Sequence, residues 1–95
     1  MKIVSYVEMT REEAMNRLPY RLIYEFTQSS KWNTGSVKRK FAETFNEEER
    51  EVVKSIITKA SKYYSKGIPD KGVSITTSEY SLWILFADFL YKLYH

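Results

Sequence analysis

Residues 78–95 (SEYSLWILFADFLYKLYH) read as a helix that is apolar on nearly every side, and whatever this chain folds into must bury it. At about 100° per residue, Trp83, Ala87, Leu90 and Tyr94 share one face, flanked by Leu82, Phe86, Phe89 and Leu93 on one side and by Tyr80, Ile84 and Tyr91 on the other. Polar character is confined to a narrow line through Ser81, Asp88, Lys92 and His95. Such a helix needs partners on most of its circumference. A bilayer is not one of them: the unbroken apolar run is only 82–87, far short of the ~20 residues a membrane span requires.

The rest of the chain supplies helices to do the wrapping. Thr10 followed by Glu13 is a capping-box pattern and opens a helix at Arg11. Pro19 disfavours helical geometry at Leu18, so a short helix to about Arg17 gives way to a second over 19–27. Met15, Leu18, Leu22 and Phe26 form an apolar line across that break. Residues 28–35 (QSSKWNTG) are loop by composition. Ser36 is the expected cap of a third helix over 37–45, with Val37, Phe41 and Phe45 inward.

Asn46 with Glu49 opens the clearest amphipathic helix, 47–66. Its residues Val52, Val53, Ile56, Ile57, Ala60, Tyr63 and Tyr64 fall within an arc of about 140°. Glu47 to Glu51 load its positive end with acid and Lys59, Lys62 and Lys66 its negative end with base. Gly67 is the expected left-handed stop. Two β-branched stretches, 2–7 and 73–76, are candidates for a small strand pair. Thr76 with Glu79 is a third capping box, at the start of the terminal helix. The expected fold is therefore mainly α: one domain over 1–95, a compact bundle of about five helices around a buried C-terminal helix, with a minor two-stranded β element.

Enzymatic chemistry finds little to stand on. The single histidine, His95, is at the chain end, where it would not be held rigidly as a base or metal ligand. There is no cysteine and no Gly-rich phosphate loop, and no catalytic, metal or cofactor site is expected. The absence of thiols, of a secretory pattern and of a membrane span fits a cytoplasmic protein.

One segment has the makings of a nucleic-acid contact. The first thirty residues set Lys2, Arg11, Arg17 and Arg21 against Glu8, Glu12, Glu13 and Glu25, whereas residues 31–46 set Lys31, Lys38, Arg39 and Lys40 against Glu43 alone. Cations displace phosphate counterions, and Trp32 would offer a stacking face beside them. The plainer reading is a solvated helix start with Trp32 folded back onto the core. A helix-turn-helix does not fit, because the loop before the third helix is too long.

The favoured expectation is a non-enzymatic interaction or regulatory protein that acts through protein contacts. Two long helices offer more apolar arc than the remaining elements cover, so Tyr80, Ile84 and Tyr91 are the expected interface, with a second copy of the chain as the expected partner. A short, cysteine-free chain of this kind also suits a phage or mobile-element protein that binds a host factor, an expectation carried by no particular residue. Nucleic-acid binding through Lys31, Trp32, Lys38, Arg39 and Lys40 is the alternative.

Overall fold

Two β-strands and five α-helices make up the described residues of the computed structural model, 4–94, in the order β1 (Tyr6–Met9), α1 (Arg11–Arg17), α2 (Tyr20–Thr27), α3 (Gly35–Thr44), α4 (Glu47–Lys66), β2 (Val73–Thr76) and α5 (Thr77–Tyr94). A 3₁₀ turn, Ser30–Asn33, links α2 to α3. The expected mainly helical fold with a minor two-stranded β element is thus the fold observed, and the two strands run antiparallel. Lys2, Ile3 and His95, which entered the sequence expectations, lie outside the described residues, as does the side chain of Tyr94.

The caps explain most of the boundaries. Thr10 Oγ1 accepts from the Glu13 amide at 3.1 Å and starts α1. Leu18, next to Pro19, is extended (φ −101°, ψ 106°), which separates α1 from α2. Asn46 and Glu49 form the full reciprocal box at the head of α4, with bonds of 2.8 and 2.9 Å. Helix α3 departs from expectation. Its cap is Thr34, not Ser36, and Thr34 Oγ1 accepts from the Val37 amide at 3.3 Å. The 3₁₀ turn places Thr34 in extended geometry, so the helix begins two residues early. Gly67 has φ 82° but ψ 166°, a glycine-only extended conformation rather than the left-handed helical stop.

Strand pairing fixes the start of α5. The register sets Tyr6 opposite Thr76 and Met9 opposite Val73, so the first strand begins within the expected stretch 2–7 and ends two residues beyond it. Beyond the ladder, the Ser5 carbonyl accepts from both the amide and the hydroxyl of Thr77, at 3.0 and 3.1 Å. Gly72, at φ 88°, lies so close to the other strand that a Cβ there would fall on the Met9 carbonyl oxygen. Arg11 bonds Asp70 at 2.8 Å across the same turn.

The core forms where α4 packs on α2 and α5. Leu18, Ile23, Val53, Ile56, Ala60, Trp83, Phe86 and Leu90 are almost wholly enclosed. Met15, expected on the buried line, is 52% exposed, because the break at Leu18 turns α1 away from the direction of α2. Trp83 has no exposed surface and stacks on Tyr63 with ring centroids 6.4 Å apart. Its indole N–H has no hydrogen-bond partner among the described residues. The Cα envelope measures 38 × 35 × 19 Å, a slab whose thin dimension leaves little depth to surround a helix on all sides.

Trp83→Ala should destabilise the fold by about 3–5 kcal/mol in chemical denaturation, as truncation of a large enclosed aromatic does. Trp83→Phe, which removes the unpaired N–H and keeps a ring, should lose clearly less. Gly72→Ala should cost more than ~1 kcal/mol through strand displacement and an unfavourable φ. A change of a few tenths there would show that the turn relaxes freely.

Candidate functional site

Val4, Tyr6, Met15 and Tyr64 are exposed at separate places in the chain, whereas the outward face of α5 gathers several uncovered apolar side chains on one helix. Ser81, Ile84, Leu85, Asp88, Tyr91 and Lys92 are exposed along one stripe, while Leu82, Trp83, Phe86, Ala87, Phe89 and Leu90 between them are buried. Ile84 is 49% exposed, Leu85 52% and Tyr91 51%, so about half of each large side chain meets solvent. Single exposed apolar residues are ordinary, but three on two successive turns form a patch. Asp88 and Lys92 cross it as an ion pair of 3.1 Å.

Two grooves flank the stripe, and Asp88 borders both. One, of about 280 Å³, lies between α5 and the α1–α2 corner and is lined by Arg17, Pro19, Ile84, Ala87 and Tyr91. The other, of about 290 Å³, runs along the end of α3 and is lined by Thr44, Phe45, Leu85, Phe89 and Lys92. The helix therefore stands as a ridge with a shallow channel on each side.

Of the three interface residues expected from sequence, Ile84 and Tyr91 lie on this ridge. Tyr80 is only partly exposed and packs against the core. Leu85 was missed, although the signal was present: it occupies the turn between Ser81 and Asp88 on the polar line, at four residues from one and three from the other. Counting only polar residues on that line hid the leucine among them.

The basic segment is divided by the fold. Lys38, Arg39 and Lys40 are exposed on α3, and among the described residues no ion pair involves them. Trp32 is turned inward. Its ring sits edge-on to Phe26, Phe41 and Phe86 at centroid distances of 6.0, 5.4 and 5.8 Å. It closes an aromatic layer continued by Phe45 and Phe89, and its faces are committed to that layer rather than to a base.

The basic end of α4 also changes on folding. Lys59, grouped by sequence with Lys62 and Lys66 at the negative end of that helix, is partly buried and donates to the Glu79 carboxylate at 2.6 Å. Glu79 is 8% exposed. Its amide donates to Thr76 Oγ1 at 3.1 Å while its carboxylate accepts from Lys59 on α4. A residue read as one half of a capping box therefore acts as a bridge between helices. Tyr63, beside this pair, has its phenol pushed above the ordinary tyrosine range, first by burial and then by the negative charge of Glu79.

A larger hollow of about 470 Å³ lies beside the strand pair, lined by Glu8, Met9, Thr10, Glu13, Lys71, Gly72, Val73 and Ser74. Among the described residues, no group of three or more histidine, cysteine or acidic side chains is placed to hold a metal ion. No helix among them is long and apolar enough to cross a membrane. No protein-family model, curated protein or solved structure matches the chain.

The raised Tyr63 titration has a definite consequence for stability. A phenol whose pKa is higher folded than unfolded stabilises the fold while both states are protonated, and that contribution is lost as pH rises past the ordinary tyrosine value of 10.0. Stability of the unmodified protein should therefore decline above that pH, and Tyr63→Phe should make the decline shallower. An equal slope in both proteins, measured by urea denaturation across the alkaline range, would assign the decline to other groups.

Proposed function

We propose that this chain is a non-enzymatic interaction protein that works through protein contacts, with the outward face of α5 as its contact surface. The observation that carries the reading is the half-exposure of Ile84, Leu85 and Tyr91 on one helical face between two grooves. Exposed apolar area of this kind is unfavourable in water and becomes favourable once a partner covers it. A ridge with channels on both sides also suits helix packing, where side-chain rows of one partner settle into the grooves of the other.

An enzymatic reading gains no support from the titratable groups. Among the described residues, the groups with displaced titration are Arg21, raised by its bond to Glu25 on an exposed surface, and Tyr63 in the core. Neither lines one of the two grooves beside α5.

The alternative, nucleic-acid binding, keeps Lys38, Arg39 and Lys40 as an exposed cluster on α3 but lacks the stacking ring that Trp32 was expected to supply. Cations without a reading or stacking element give weak, salt-sensitive attraction. Fluorescence anisotropy with short labelled DNA and RNA decides between the two. The interaction reading expects only weak association at low ionic strength, vanishing by about 150 mM salt, with Lys38→Ala/Arg39→Ala/Lys40→Ala little different from the unmodified chain at that salt. Tight binding that persists at that salt and disappears in the triple variant would overturn it in favour of nucleic acid.

A further inference from the structure

We infer that the occupant of the α5 face is a second copy of this chain, packed antiparallel about a two-fold axis that passes at Asp88. The inference rests on the interaction reading above and specifies its partner. Its first support is charge. The protein carries a net charge of +3, so a second copy is repelled by most of the surface. The α5 ridge is different: its one anion and one cation, Asp88 and Lys92, are paired at 3.1 Å, and Arg17 at the edge of one groove is the one further charge lining its two grooves. A face with so little net charge offers little to an acidic peptide or a phosphate backbone, but it is one on which two basic copies can meet.

The second support is the order of residues along the ridge. An isologous interface requires each residue to face a suitable counterpart when the helix is reversed. Counted from Asp88, the exposed positions lie three and four residues to either side: Leu85 and Ile84 before it, Tyr91 and Lys92 after it. Reversal about Asp88 sets Leu85 of one copy against Tyr91 of the other. It also sets Ile84 against the methylene stem of Lys92, whose ammonium then reaches the Asp88 pair at the axis. Each carboxylate lies between two lysines, so the like charges that meet at the axis are compensated on both sides. Antiparallel helices also oppose their macrodipoles favourably. The two grooves beside the ridge receive the flanking rows, with Ala87 and Pro19 forming the floor on one side and Phe45 and Phe89 on the other.

The chain has no cysteine, so single thiols can report the register. Analytical ultracentrifugation of the unmodified full chain up to about 1 mM should show a monomer–dimer equilibrium, since a patch this small belongs with weak interfaces. Leu85→Asp, at an exposed position that leaves the core intact, should weaken association at least tenfold without changing the helical circular dichroism. A short bis-maleimide should then crosslink Asp88→Cys to itself. It should not crosslink Ser81→Cys, whose two thiols would stand about 20 Å apart along the helix axes at ~1.5 Å per residue. Equal crosslinking at both positions would overturn the antiparallel register. A monomer at every concentration would overturn the dimer while leaving the interaction reading to the nucleic-acid titration, so the two fail separately.

Discussion

Everything in this fold depends on burying the inward half of α5. Trp83, Phe86 and Leu90 on that helix are fully enclosed, and the other elements can be understood by how they reach them. Helix α4 brings Val53, Ile56, Ala60 and Tyr63, with the Tyr63 ring stacked on Trp83. Helix α2 brings Ile23 and Phe26, and the 3₁₀ turn with α3 brings Trp32, Phe41 and Phe45 to the opposite end of the same surface. Dispersion and the removal of apolar area from water accumulate here, and no comparable second centre exists among the described residues.

Polar contacts determine the placement of that helix more than its stability. Ser5 holds Thr77 by amide and hydroxyl, Thr76 caps the Glu79 amide, and the Glu79 carboxylate ties the first turn of α5 to Lys59 on α4. A nearly enclosed carboxylate is costly without a partner, so the Lys59–Glu79 pair contributes orientation at a modest net energy, and removing either member alone would leave the other stranded. The one unpaired buried side-chain group among the described residues, the Trp83 indole N–H, sits in the same region. The tryptophan is thus retained for the area it buries despite an unmet donor, and the neighbouring phenol and carboxylate are each satisfied or shifted by what surrounds them.

How far this could be read from the residues varies with the length scale of the signal. Local chemistry was legible: Asn46 and Glu49 placed the start of α4, Pro19 placed the break before α2, and β-branched content located β2. The cap of α3 was not, because Ser36 is by residue type at least as good a cap as Thr34 and the choice depends on a 3₁₀ turn that packs Trp32 inward. Periodicity correctly put Trp83 at the centre, but it could not say how much of the circumference one chain covers. That is set by the 19 Å thickness of the slab, a property of the whole assembly of helices. Lys59 shows the same limit. It borders the buried arc of α4 beside Ile56 and Ala60, and only the arrival of Glu79 from twenty residues away turns it from a surface charge into a bridge.

The open face of α5 follows from this economy of elements. Helices α2 and α4, the strand pair and the 3₁₀ turn with α3 cover the half of the helix that carries Trp83, and among the described residues no further element covers Ile84, Leu85 and Tyr91. Were the exposed stripe simply the solvent side of an ordinary surface helix, polar residues would dominate it, as they do on the outer side of α4, where Glu51, Lys54, Ser55 and Thr58 lie together. Past the first turn of α5 the exposed polar residues are reduced to Ser81 and the Asp88–Lys92 pair, with large apolar side chains between them. The contrast between two long helices of one small protein makes the composition of this stripe a property of α5 itself. A partner that covers it would bind the folded chain and not the unfolded one, so association and folding stability would rise together by mass action.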